Sequence, residues 1–320
     1  MNDAGLAALD HLVIVVADLD AATSSYATLL GRSPSWRGSH PGQGTENTLF
    51  RLSNTYLELI APTAEGAMAD ILRARLADGG RGGGQSGDAG DAGDAGNTGG
   101  GEGLVAMAFQ APDLEGFRAA LERGGVDCSP AQPGSGRDRR TGAERSWRSA
   151  WVPAAATRSV PIFAIAHYPG DSGDSGALPV AELAVREGES VEGVDHVVVM
   201  STDVEASRAV YGDVLGLRLA LDREFPDRDV RLLFFRVGGL TVEVAGKPTA
   251  ASAADQRPDR LWGLAYRVAD IEALRARLLA AGVDVSATRR GHKKGTRVCT
   301  VRSATHGVAS LLIGPDGRDG

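Results

Sequence analysis

The chain has 320 residues, a formal charge of −7 and only two cysteines, Cys128 and Cys299, outside any CxxC spacing. That length suits two domains with a hydrophobic core each, and the acidic balance argues against a nucleic-acid binder, whose domains carry a basic excess. Well-separated cysteines read as reduced, buried fillers.

The first residues, MNDAGLAALDHLVIVV, are acidic where a signal peptide is basic, and no apolar run approaches the length that crosses a bilayer. The expectation is a soluble, cytoplasmic protein with neither a membrane nor a nucleic-acid partner.

From Leu9 to Val16 a β-branched run reads as a strand, followed by Asp18 at a helix start and a helix from Ala21 to Leu30 stopped by Gly31. Strands follow at 33 to 38, 45 to 52 and 56 to 61, the last ended by Pro62, with Ser53-Asn54 as a tight turn. Residues 79 to 103 contain three GDA triplets and too little apolar surface to order, so they read as a flexible insertion. The strand and helix order then returns more weakly: Leu104 to Phe109, a helix from Leu114 to Arg123, a basic hairpin from Arg137 to Arg148, and the strand PIFAIAHY. Residues 169 to 191, rich in glycine, serine and acid around a short apolar stretch, read as a linker.

Beyond the linker the order repeats. Strands are expected at 194 to 200, 217 to 221, 230 to 237 and 240 to 244, with a helix from Val204 to Leu215. A last set has a strand from Trp262 to Val268, a helix from Ile271 to Ala281, the basic hairpin Arg289 to Arg297 and the strand VASLLIGP.

These four sets are copies. Shifting by 185 without a gap superposes Asp10 on Asp195, His11 on His196, Asp18 on Asp203, Tyr26 on Tyr211, Gly31 on Gly216 and Glu58 on Glu243. A shift of 157 superposes Asp113, Arg118, Gly125 and Asp127 on Asp270, Arg275, Gly282 and Asp284. Such self-similarity marks duplication of a βαβββ module, and the order along the chain is A, B, A′, B′. The fold class is α+β, four modules making two tandem domains at 8 to 168 and 193 to 315.

A histidine in the first strand and a glutamate in the fourth recur at the same separation, His11 to Glu58 and His196 to Glu243 (58 − 11 = 243 − 196 = 47). Imidazole and carboxylate together are common ligands of a divalent metal that acts as a Lewis acid. Strand alternation puts His11 on one face with Val13 and Val15, and Glu58 on one face with Tyr56 and Ile60, so both can point into a cleft.

DHLVIVVADLDAA with TYLELIAP, and DHVVVMSTDVEAS with LTVEVAGKP, resemble the vicinal oxygen chelate superfamily of glyoxalases, extradiol dioxygenases and antibiotic-resistance binding proteins. The first domain resembles a glyoxalase-like branch through HPGQGTENTLFRL and PIFAIAHYPG. The resemblance implies paired modules around a U-shaped cleft with a divalent metal inside. It implies metal ligands among His11, Glu58, His167, His196 and Glu243, with Glu58 also a general base.

The sequence departs from the pattern in the B-type modules. Ala106 and Gly263 stand where a first-strand histidine would be, which argues against an extradiol dioxygenase, a chemistry that needs two histidines and a carboxylate on iron. His40, Thr45 and Asn47 of HPGQGTEN line either the pocket mouth or an ordinary turn. Arg148 either holds a substrate anion or belongs to a solvated face. His292 and His306 are further possible ligands in the second domain.

Two functions stay open at this stage. One is a metal-dependent lyase or isomerase of glyoxalase type, acting on a small molecule with adjacent oxygens; the other is a non-catalytic small-molecule binding protein. Either suits a monomer or a homodimer.

Overall fold

The computed structural model describes residues 5–78, 101–168, 178–252 and 256–317. Most of the expected insertion and the first part of the expected linker lie outside the described residues. Module A consists of β1 (Ala8–Val15), α1 (Leu19–Leu30), β2 (Trp36–His40), β3 (Thr45–Arg51) and β4 (Tyr56–Pro62). It is followed by α2 (Ala67–Asp78), which the sequence reading did not contain. Module B has β5 (Gly103–Gln110), α3 (Leu114–Arg123), β6 (Gln132–Asp138), β7 (Glu144–Val152) and β8 (Ile162–Tyr168). Module A′ has β9 (Val191–Met200), α4 (Val204–Arg208), β10 (Arg218–Phe225), β11 (Val230–Val237) and β12 (Leu240–Gly246). Module B′ has β13 (Arg260–Val268), α5 (Ile271–Ala280), β14 (Arg289–Arg290), β15 (Thr296–Val301) and β16 (Ala309–Pro315).

The same aspartate starts all four module helices. Asp18 accepts from the N–H groups of Asp20 and Ala21, Asp113 from Gly116, Asp203 from Ala206, and Asp270 from Glu272 and Ala273. Each carboxylate satisfies backbone donors that a helix start otherwise leaves open. The expected helix from Val204 to Leu215 is α-helical only to Arg208 and continues as a π-helix from Ala209 to Val214. Gly212 occupies the position of Ala27 under the 185 shift, and an interior glycine weakens the α form relative to alanine.

The chain divides into two compact units. The first gathers Met1–Val13, Val105–Ala177 and His196–Trp262, and the second Ile14–Leu104, Leu178–Asp195 and Gly263–Gly320. In the first unit the ladders run β6–β7–β8–β5 and β10–β11–β12–β9, with β5 parallel to β8 and β9 parallel to β12. In the second, β2–β3–β4 form one ladder and β14–β15–β16–β13 another. Thus in each module the last three strands form a meander, and in modules B, A′ and B′ the first strand lies against the fourth. In module A the Val16 N–H donates to the Ile60 carbonyl at 3.0 Å.

In the second unit, residues 178 to 190 run along module A. Ser33 N–H donates to the Glu182 carbonyl, Ala181 N–H to Arg51 and Ala184 N–H to Gly31, while the Arg32 guanidinium donates to the carbonyls of Ala181 and Val191. The apolar part of the expected linker is thereby an extended strap on the first module. Cys128 and Cys299 are buried as free thiols, and burial pushes each up to about 11, which suits apolar fillers and not nucleophiles.

The turn between β2 and β3 is a fixed hairpin. Gly44 has φ 71°, and a Cβ there would lie 2.5 Å from the Glu65 carbonyl oxygen; Gly42 has φ 76° but would meet nothing within 4 Å. Gly42→Ala therefore incurs only the left-handed backbone penalty, about 1 kcal/mol, whereas Gly44→Ala adds a backbone clash and is expected to cost about 2–3 kcal/mol in total. Denaturant midpoints of the two variants check this order.

Candidate active site

Four residues singled out from the sequence share one face of the β2–β3–β4 meander. His40 lies opposite Thr45, and Leu49 opposite Glu58, so with strand alternation His40, Thr45, Asn47 and Glu58 point the same way. They form a continuous polar chain. The Asn47 amide Nδ2 donates to Glu58 Oε1 at 2.7 Å and lies 3.2 Å from His40 Nε2, while His40 Nδ1 is 2.8 Å from Thr45 Oγ1. His40 Nε2 is 3.7 Å from Glu58 Oε1.

Which way the Asn47 amide faces follows from chemistry. An ionised carboxylate only accepts, so Nδ2 and not Oδ1 must face Glu58. With the second amide N–H turned to His40 Nε2, that nitrogen acts as acceptor and the imidazole proton sits on Nδ1, toward Thr45. Asn47 Oδ1 is left buried with no hydrogen-bond partner among the described residues. Glu58 itself is only 12% exposed along its side chain, so the amide fixes the carboxylate's direction in a largely water-free setting.

The other predicted ligands of the first domain, His11 and His167, cluster in the first unit. His11, 3% exposed, directs Nδ1 at Asp10 Oδ1 over 2.7 Å and meets the Phe163 ring edge-on, with centroids 5.4 Å apart. His167 Nε2 reaches both oxygens of the same carboxylate at 3.2 Å, and its buried Nδ1 has no hydrogen-bond partner among the described residues. Burial alone would raise the Asp10 pKa, but the hydrogen bonds and positive charge of His11 and His167 outweigh it and hold the carboxyl far below the usual range. Asp10 received no role in the sequence reading, although its repetition as Asp195 beside His196 was the available signal.

Module A′ keeps the histidine and glutamate alone. His196 Nε2 is 3.6 Å from Glu243 Oε2, and Phe234 lies opposite Glu243 as Leu49 lies opposite Glu58. The positions matching His40, Thr45 and Asn47 are Phe225, Val230 and Leu232. In B′ a Cβ at Gly263 would meet the Ala309 carbonyl oxygen, so that strand has no room for a first-strand histidine.

Arg148 is 43% exposed, lies 3.5 Å from Glu115 and donates to the Ala131 carbonyl. His306 pairs with Glu102 at 3.0 Å. A divalent ion is what the resemblance implies here. The pairing of His11 with Asp10 is the kind of carboxylate support a ligating histidine has, yet among the described residues no three His, Cys, Asp or Glu side chains are grouped to hold one.

Residues 9–188, more than half of the chain, match the family described as glyoxalase-like domain. The chain belongs to that family. Residues 195–300 of this glyoxalase-like protein also match the glyoxalase/bleomycin resistance protein/dioxygenase superfamily, so both halves are vicinal-oxygen-chelate-type domains. An ethylmalonyl-CoA/methylmalonyl-CoA epimerase of Cereibacter sphaeroides is 29% identical over 97 residues, 29% of this chain and 72% of that protein. A Staphylococcus aureus protein described as hypothetical has the same fold along nearly the whole length, with a TM-score of 0.60 and 12% identity over 96% of this chain and 98% of that one. The methylmalonyl-CoA epimerase of Mycobacterium tuberculosis aligns with 42% of this chain and 93% of its own, at 24% identity and a TM-score of 0.35. No helix among the described residues is long and apolar enough to cross a membrane.

Replacing Asp10 by asparagine leaves two imidazoles around a neutral amide, and should cost about 2–4 kcal/mol at neutral pH, the loss of charge-assisted bonds in a buried place. Because the folded-state pKa is depressed, this stabilisation is complete above the ordinary value of 3.8 and is lost as pH falls through the lower folded value. Urea denaturation should therefore show a gap between wild type and Asp10→Asn that is still present at about pH 5 and narrows only in stronger acid.

Proposed function

We propose that this glyoxalase-like protein is an isomerase that moves a proton at a carbon made acidic by neighbouring oxygens, with Glu58 as the base. The observation that carries the proposal is the aimed, largely buried Glu58 carboxylate, bound by Asn47 Nδ2 at 2.7 Å and backed by the His40 and Thr45 chain. A base whose direction is fixed by a rigid amide on a sheet needs little reorganisation when the substrate binds. A neutral aliphatic residue in place of Asn47 would remove that bond to the carboxylate.

In the reaction the C–H bond breaks toward a Glu58 oxygen, the proton passes to the carboxyl group, and the electron pair moves onto the adjacent carbonyl oxygens as an enolate. Delivery of a different proton to the other face of the same carbon, from a second acid or a water on that side, with Glu58 releasing the abstracted proton to solvent, gives an epimer; expulsion of a neighbouring group instead would make the protein a lyase. Both outcomes use the same base, and the enolate needs hydrogen-bond donors at the oxygens where charge develops. Kinship to a protein named an ethylmalonyl-CoA/methylmalonyl-CoA epimerase favours reprotonation, and favours a malonyl-type acyl thioester, in which two carbonyl groups flank the acidic carbon. The divalent metal implied by the resemblance would supply Lewis-acid polarisation of those oxygens; its ligands are not assigned.

Incubating methylmalonyl-CoA and ethylmalonyl-CoA with the full chain in deuterated water, and following the α-proton by NMR, measures the step directly. Exchange is expected for at least one thioester and should slow about 10²- to 10⁴-fold in Glu58→Gln. Asn47→Leu, which retains the base and loses its support, should slow it less than Glu58→Gln does. Exchange in Glu58→Gln at the wild-type rate would sink the assignment of the base, and no exchange of either thioester would sink the malonyl-type substrate.

A further inference from the structure

The open face of module A′ has the features of a second binding site. The β3–β4 and β11–β12 registers are identical under the 185 shift, Leu49 opposite Glu58 and Phe234 opposite Glu243. On that common frame the polar groups around Glu58 are replaced by Phe225, Val230 and Leu232 around Glu243.

A register shift in β10 decides what else faces the same way. Between Leu219 and Leu221 the pairing with β11 slips at Ala220, so that Leu221 lies opposite Phe234, Arg223 opposite Leu232 and Phe225 opposite Val230. A one-residue bulge turns every later side chain to the other face. Leu221, 48% exposed, and Arg223 are thereby placed on the Glu243 side, while Asp222 and Glu224 go to the back, where Arg231 pairs with both and with Glu205. At the other end of the face Arg218 lies opposite Arg236.

The result is a row of half-exposed apolar side chains between cations. Arg218, Arg223 and Arg236 are exposed and make no ion pair among the described residues, and the Arg223 guanidinium lies 4.7 Å from the centroid of the Phe225 ring. Exposed apolar surface on one strand face marks an interaction site more often than a free surface, and arginines without carboxylate partners on its rim select for a negative charge. The geometry points to a binding site on this face for an anion with an apolar or aromatic body, its flat part over Leu232 and Phe234 and its charged end at Arg223 or the Arg218–Arg236 pair. This site does not depend on Glu58 acting as a base.

The anionic dye 1-anilinonaphthalene-8-sulfonate has this chemistry and can be titrated against the full chain by fluorescence. Saturable binding of one dye per chain is expected, weakened by salt, about tenfold or more weaker in Arg223→Glu and in Leu232→Asn, and unchanged in Glu58→Gln. All of these positions but Glu58 are exposed or half-exposed, and circular dichroism verifies that each variant is folded. Absence of saturable binding, or equal affinity in folded Arg223→Glu and Leu232→Asn, overturns the site. So does a wild-type dimer in sedimentation that Leu232→Asn dissociates, since the face would then be an interface between two copies.

Discussion

The pairing of third and fourth strands within each module is the constraint from which the rest follows. It fixes Leu49 against Glu58 and Phe234 against Glu243, and so decides which residues of the hairpin before it can reach the glutamate. A slip of one residue would exchange Asn47 for Thr48 on that face, and the carboxylate would lose its amide. Tight backbone geometry protects the register in module A. Gly44 sits against the Glu65 backbone, and its carbonyl accepts from Thr63 and Ala64 just beyond β4, so the hairpin tip and the end of the fourth strand are tied together.

Given that frame, module A and module A′ differ in chemistry rather than in shape. In module A a hydroxyl, an imidazole and an amide form a chain whose amide end binds the glutamate in a place largely closed to water, where hydrogen bonds hold directions firmly. In module A′ the same positions are aliphatic and aromatic, and the sheet face carries half-exposed apolar residues beside arginines. One duplicated scaffold thus presents two chemically different faces on the same strand register.

Much of this was legible in the chain. The gapless shift of 185 showed the modules, and aspartates 18, 113, 203 and 270 signalled helix starts that all prove capped. Strand alternation showed that Glu58 faces the same way as Tyr56 and Ile60. The α2 helix was missed because it lacks the aspartate that starts the others, and the π-helical turn because periodicity alone does not separate it from an α-helix. The resemblance put His11 and His167 among the ligands of one cleft, but their meeting on Asp10 was out of reach, since a separation of 157 residues between Asp10 and His167 leaves no local trace.

By itself the sequence determined the α+β module, its fourfold repetition, the capped helices and the faces of the strands, because all of these depend on local periodicity and on neighbours a few residues apart. Tertiary structure alone decided that His40, Thr45 and Asn47 form one polar chain with Glu58, that Asp10 unites two histidines, and that a bulge at Ala220 turns Leu221 and Arg223 to the Glu243 face. Those outcomes rest on register and on contacts between distant strands, and a difference of one residue in register, invisible to composition or spacing, reverses which side of a sheet a side chain occupies.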